Sequence, residues 1–217
     1  MAILRAILVI AVANASGQTA DAGVRETSRL KTVLVLGDSL SEGFQLSPRD
    51  AWPMLLSQRL RQIDPNFRII NASASGGTTE GGVRRLLAHL NRKIDIFVLE
   101  LGINDAFRGI PIERIRNNLQ AIIDKVRAKN PDAALLIIGM QFPIATNDDY
   151  VTAFGKMFGE LAENNRAALV PYLLEGVAGN PALNLEDRIH PNAAGHKILA
   201  DTVWRALEPL AREVAAK

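Results

Sequence analysis

Thr32-Val33-Leu34-Val35-Leu36-Gly37-Asp38-Ser39-Leu40 is the stretch from which the rest of the chain can be read. Five uncharged residues, mostly β-branched or leucine, predict a strand covered on both faces; a half-exposed strand would alternate apolar with polar. Gly37 ends the run, and small polar residues follow at once. Similar apolar runs recur at residues 67–70, 94–101, 133–138 and 168–170. Helical spacing lies between them, at residues 51–63, 79–91, 111–129 and 149–165, and a terminal helix is expected over 192–216, kinked at Pro209. Strands alternating with helices predict an α/β fold with a parallel sheet and helices on both faces. No repeat, low-complexity tract or linker interrupts residues 30–217, which reads as one domain.

A sheet of this kind places its ligand outside the carboxyl ends of the strands. The residues following each run are therefore the ones to inspect. They are Gly37, Asp38, Ser39, Ser41 and Glu42 after the first run, and Asn71 to Thr79, rich in serine and glycine, after the second. Gly102, Asn104 and Asp105 follow the third, Gln141 and Pro143 the fourth, and a long loop after the fifth ends in Asp187-Arg188-Ile189-His190-Pro191.

Ser39 alone would be a turn serine. A serine becomes a nucleophile only beside a base, and the chain has 3 histidines. His89 and His196 fall within helical patterns and read as structural. His190 lies in a loop, with Pro191 after it and Asp187 three residues before. That spacing can bring a carboxylate to one ring nitrogen while the other faces outward, so that Asp187 holds the tautomer as His190 takes the serine proton. An oxyanion needs donors. The Gly76 N–H is a candidate, at a position where a side chain would obstruct; the Asn104 amide and the Ser39 N–H are two more.

Four blocks carry a family resemblance: Gly37-Asp38-Ser39-Leu40-Ser41, Gly76 within residues 71–76, Gly102-Ile103-Asn104-Asp105, and Asp187-Arg188-Ile189-His190-Pro191-Asn192. In this order the chain resembles the SGNH (GDSL) hydrolase family. The resemblance implies Ser39 as nucleophile, His190 as base, Asp187 as its partner, and Ser39, Gly76 and Asn104 as oxyanion hole. It also implies a flavodoxin-like three-layer α/β/α sandwich with about five parallel strands in order 2-1-3-4-5. Ala51-Trp52-Pro53, Glu100-Leu101-Gly102, Phe107-Arg108-Gly109 and Gly139-Met140-Gln141 resemble the family's bacterial periplasmic branch of thioesterases, lysophospholipases and arylesterases. The segment 143–150 departs from the Pro-Asn-Tyr-Gly-like loop of that branch, which touches substrate preference rather than chemistry.

Rival folds fare worse. An α/β-hydrolase elbow needs glycine two residues after the serine, where this chain has Ser41. Gly76-Gly77-Thr78-Thr79 could hold an anion at a helix start, but lacks the lysine of a phosphate-binding loop and leaves Asp187 and His190 unexplained. Asp38, Asp105, Asp187 and His190 show no paired-ligand spacing for a metal.

The 217 residues carry a net charge of +2, with 5% aromatics and no run of Lys/Arg, so no nucleic-acid partner is expected. There is no cysteine, which removes disulfides, thiolate chemistry and a lipid-modified N-terminal cysteine. Residues 1–22 read as a secretory signal peptide: a singly charged start, an apolar run at 6–13 too short to span a bilayer, then small residues. Cleavage candidates are Ala13-Asn14-Ala15, Gln18-Thr19-Ala20 and Ala20-Asp21-Ala22. The rival reading is a first strand or buried helix of a cytosolic protein. The expectation is a periplasmic or secreted monomer without stable membrane insertion. It would cleave esters or thioesters through an acyl-enzyme and need no cofactor, with Phe44, Leu46, Phe107, Ile110 and Ile144 flanking an open cleft suited to an acyl chain. An O-acetyl esterase of the same fold is the alternative.

Overall fold

The computed structural model describes residues 29–142 and 148–217. The expected signal segment 1–22 and the expected cleft residue Ile144 lie outside the described residues. Five parallel strands form one sheet: β1 (Lys31–Leu36), β2 (Phe67–Asn71), β3 (Ile96–Leu99), β4 (Ala134–Ile138) and β5 (Ala168–Val170). Their order is β2-β1-β3-β4-β5, the expected 2-1-3-4-5. Val33 to Leu36 in β1 and every residue of β3 are buried. This is why these runs read as uninterrupted apolar sequence.

The helices are α1 (Ser39–Glu42), α2 (Trp52–Ile63), α3 (Thr79–Leu86), α4 (Ile103–Phe107), α5 (Ile112–Lys129), α6 (Asp149–Asn164) and α7 (Ala193–Ala215). α2 packs on α7, while α3 packs on α5 and α5 on α6. Right-handed crossovers that run leftward from β1 and rightward from β2 put these two sets on opposite faces of the sheet. The apolar stripe Ile115, Leu119, Ile122, Ile123 and Val126 is the buried side of α5, at the 3–4 residue spacing the sequence shows. Pro209 does not end α7, which runs through it to Ala215.

Two expected elements differ in extent. The third strand is only Ile96–Leu99 instead of 94–101. Asp95 turns its carboxylate onto the Thr32 N–H (2.7 Å) and Arg29, and the Glu100 side chain turns into the protein. The helix expected over 79–91 ends at Leu86 and tightens to a 3-10 turn at Leu87–His89. The chain order reverses between β1 and β3, and the polar residues that follow these two strands meet there.

Candidate active site

Ser39 is built by the way β1 stops. A Cβ on Gly37 would stand 2.6 Å from Ser41 Cβ and 2.7 Å from Glu100 Oε2, so the close turn admits glycine only. Asp38 then caps α1, its carboxylate accepting from the Leu40 N–H (3.0 Å). Ser39 is the first residue of that helix, where a backbone N–H has no intrahelical acceptor. It is 8% exposed, so its hydroxyl is reached only from one side.

His190 comes from the far end of the chain. Its loop is pinned by the pairing of Asn184 with Pro191 and by the Leu185 N–H on the His190 carbonyl (2.8 Å). Asn192, directly after, caps α7 by accepting from the Ala194 and Gly195 N–H groups. Within the turn Asp187 Oδ1 accepts from the backbone N–H of Ile189 (2.9 Å) and of His190 (3.0 Å). Asp187 Oδ2 lies 2.7 Å from His190 Nδ1, and His190 Nε2 lies 2.9 Å from Ser39 Oγ. An ionised carboxylate only accepts, so Nδ1 carries the proton and Nε2 offers its lone pair to the serine O–H. Burial raises the Asp187 carboxyl, but the His190 and Ile189 hydrogen bonds outweigh it and bring it down to about 2. The arrangement can therefore move a proton from Ser39 to His190 beside a fixed negative charge. Phe44, expected at the cleft, instead lays its ring 4.5 Å from the His190 ring and limits its tilt.

The three expected oxyanion donors are placed differently from one another. The Ser39 and Gly76 N–H groups have no hydrogen-bond partner among the described residues. Gly76 is required for its backbone, not for space: φ is +69, while a Cβ there would meet nothing nearer than Arg108 Nη2 at 4.0 Å. The expectation that a side chain would obstruct is corrected accordingly. Asn104, the second residue of α4, directs its amide at Asp38 Oδ2 (3.0 Å) and the Gly77 carbonyl (3.2 Å). Both of its N–H groups are held, so stabilising an oxyanion would require one to turn from these acceptors.

A cleft of about 270 Å³ opens over Ser39 and His190. Leu40, Ile103, Phe107, Met140 and Leu174 form most of its apolar wall, with Asn104 and Gln141 as polar points. Of the described residues expected to flank it, only Phe107 does. Leu46 lies elsewhere, and Ile110 packs against the core while its carbonyl accepts from Tyr150 Oη (2.6 Å). Phe107 and Ile189, which both line the cleft, are 60% and 55% exposed. Leu174, Ala178 and Gly179 come from the loop after β5, and Arg188 and Ile189 from the His190 turn. None of the five was singled out from sequence; the two in Asp187-Arg188-Ile189-His190 could have been, since they share a turn with the base.

Beneath Ser39 lies a second polar group. Glu100 Oε2 accepts from the Asp38 N–H (3.1 Å) and from Ser41 Oγ (2.7 Å), fully buried, while Oε1 has no partner among the described residues. Burial, and then the charge of Asp38, push Glu100 well above the usual carboxylate range, against the Ser41 hydroxyl and the Asp38 N–H, which favour the charged form. Burial raises Asp38 to about 6 despite the Leu40 N–H and the Asn104 amide. Asp105 is spent on α3, accepting from Thr79 N (2.8 Å) and Thr79 Oγ1 (2.6 Å). His196 is buried in α7, and its Nδ1 accepts from the Trp52 N–H (3.1 Å), serving the start of α2 that lacks a side-chain cap of its own.

Known proteins resemble this chain in sequence and fold. Residues 35–198 match the model of the GDSL-like Lipase/Acylhydrolase family. Esterase TesA of Pseudomonas aeruginosa is 39% identical over 181 residues, 83% of this chain and 89% of that protein. Thioesterase 1/protease 1/lysophospholipase L1 of Escherichia coli is 35% identical over 180 residues, 82% of this chain and 84% of that one. A solved structure of the psychrotrophic esterase EstA from Pseudoalteromonas, inhibited by monoethylphosphonate, superposes with a TM-score of 0.75 at 29% identity, covering 82% of this chain and 97% of that one. The family's matched span includes both the turn that presents Ser39 and the loop that presents His190, and no helix among the described residues is long and apolar enough to cross a membrane. By fold, by matched span and by identity to curated relatives, this chain belongs to the GDSL-like lipase/acylhydrolase family.

Proposed function

We propose that the protein hydrolyses carboxylic esters and thioesters through an acyl-enzyme formed on Ser39. The observation that carries this reading is the continuous relay Ser39 Oγ, His190 Nε2 (2.9 Å), His190 Nδ1, Asp187 Oδ2 (2.7 Å). Ser39 Oγ attacks the carbonyl carbon while His190 Nε2 takes its proton, and Asp187 stabilises the imidazolium. The oxyanion accepts from the N–H groups of Ser39 and Gly76, joined by the Asn104 amide as it turns from Asp38. Collapse of the tetrahedral intermediate breaks the ester bond, and the proton on Nε2 passes to the leaving alcohol or thiol. Water then attacks the acyl-enzyme with His190 again as base. No step calls for a cofactor.

The apolar cleft wall suits an acyl chain, and relatives named esterase, thioesterase and lysophospholipase point to the same bond class. Hydrolysis of p-nitrophenyl butyrate tests the reading. Ser39→Ala should lower turnover by roughly a millionfold; near-normal turnover would overturn it. Residues 1–22 act as an export signal, and the mature enzyme works in the periplasm or outside the cell. N-terminal sequencing of the protein from a periplasmic fraction should find a start between residues 14 and 23, whereas intact Met1 in the cytosol would contradict export.

A further inference from the structure

Arg188 stands in the turn between Asp187 and His190 with φ +59. This is the left-handed region, which glycine enters freely and a long side chain occupies at a cost of roughly 1–3 kcal/mol. Its N–H closes the turn on the Leu185 carbonyl (2.9 Å), a bond that glycine would make equally well. Nothing in the turn itself calls for a guanidinium. Arg188 is one of the residues that line the cleft, where it is the only permanently charged group among the described lining residues, next in the chain to Ile189. No described residue pairs with it. Two other arginines near the site are engaged: Arg108 has Nη2 on the Gly76 carbonyl (3.3 Å), and Arg85 has Nη2 on the Gly37 carbonyl (2.7 Å).

We propose that Arg188 binds an anionic group, carboxylate or phosphate, carried on the alcohol or thiol half of the ester. This rests on the reading of Ser39 and His190 given above. His190 Nε2 protonates the leaving oxygen, so the leaving half lies on the His190 side of Ser39. Arg188 is two residues away on that same turn, whereas the Gly76 and Asn104 oxyanion donors approach from the loops after β2 and β3. A guanidinium presents five donors in a planar fork that matches either anion with two parallel bonds. The apolar wall takes the acyl chain and the cation selects the leaving group.

The test compares kcat/KM on four esters with the full chain. They are phenyl butyrate, which is neutral; 4-(butyryloxy)benzoate and 4-(butyryloxy)phenyl phosphate, with an anionic leaving half; and monophenyl glutarate, with an anionic acyl half. Arg188→Asn removes the charge while asparagine still tolerates positive φ, and Arg188→Lys keeps a charge. Arg188→Asn should lower the ratio of leaving-half anion to neutral ester about tenfold, the effect of one charge-assisted contact in an open cleft. The ratio for monophenyl glutarate should stay as in the wild type, Arg188→Lys should retain most of the preference, and added salt should shrink it. Whichever of the benzoate and the phosphate loses more identifies the anion. Unchanged ratios, an equal loss on all four esters, or a loss confined to monophenyl glutarate would overturn the proposal while leaving the hydrolase reading intact. A wild-type protein inert toward phenyl butyrate and unlabelled by a fluorophosphonate would overturn both.

Discussion

Asp187 reaches Ser39 through His190 and Asp38 precedes it in the chain, and the two live in opposite surroundings. Asp187 sits on an exposed turn, receives three hydrogen bonds from its neighbours and is held down to about 2. Asp38 is wholly buried, shares its pocket with Glu100 and is pushed up to about 6. The first is a fixed negative charge beside the base. The second group is a scaffold: Asp38 caps α1 and holds Asn104, and Glu100 holds the backbone of Asp38 and the hydroxyl of Ser41. Residue type does not separate these roles; solvation and the number of donors do.

Neutralising the exposed member should have the larger effect. Asp187→Asn should lower kcat on p-nitrophenyl butyrate by about 10⁴, because an amide cannot hold the proton on Nδ1 and stabilise an imidazolium. A loss below tenfold would reduce Asp187 to a turn residue and erase the contrast. Asn104→Ala should cost about a hundred- to a thousandfold in kcat if the amide leaves Asp38 for the oxyanion. An unchanged kcat with lowered stability would make Asn104 a buttress of Asp38 only.

The buried member is tested by stability. Glu100→Ala strands the Asp38 N–H and Ser41 Oγ and opens a void, which should cost about 2–4 kcal/mol in urea unfolding. Glu100→Gln keeps an accepting oxygen at the same place and should cost under about 1 kcal/mol, since both hydrogen bonds can still be made. Equal damage from both would mean that the accepting oxygen is not what Glu100 contributes.

His196 gives the smallest effect and a clear sign. Burial lowers its pKa from 6.5 to about 4. The unfolded chain therefore binds this proton more readily than the folded one, and the contribution is complete above pH 6.5 and lost as pH falls through 4. Protonated Nδ1 could no longer accept from the Trp52 N–H. The thermal advantage of the wild type over His196→Gln should grow between pH 4 and 6.5 and level off above. A difference that does not vary with pH would remove His196 from the titrating set.

The expected strand order 2-1-3-4-5 came with the family resemblance and is the order observed, whereas periodicity alone left pairing open. The buried runs at β1, β3 and β4 were legible because both faces are covered. Asp187 and His190 were legible because they are three residues apart on one turn. The contact of Phe44, named from sequence only as a cleft residue, with His190 was not, because it joins residues distant in sequence. The left-handed backbone of Arg188 was not, because arginine carries no turn signal of the kind glycine does. Glu100 was named only as part of the block that resembles the family branch, and only packing shows its two bonds beneath Ser39. The short α4 escaped notice because five residues hold too few turns to show a helical period.

The central claim is that Ser39 is the nucleophile and His190 its base. Covalent labelling by a fluorophosphonate, read by intact mass and by the peptide that carries the adduct, tests it most directly. The account predicts one adduct per chain on Ser39, none on Ser39→Ala, and greatly slowed labelling of a folded His190→Ala. An adduct on another residue, or an unlabelled wild type that hydrolyses p-nitrophenyl butyrate, would contradict it.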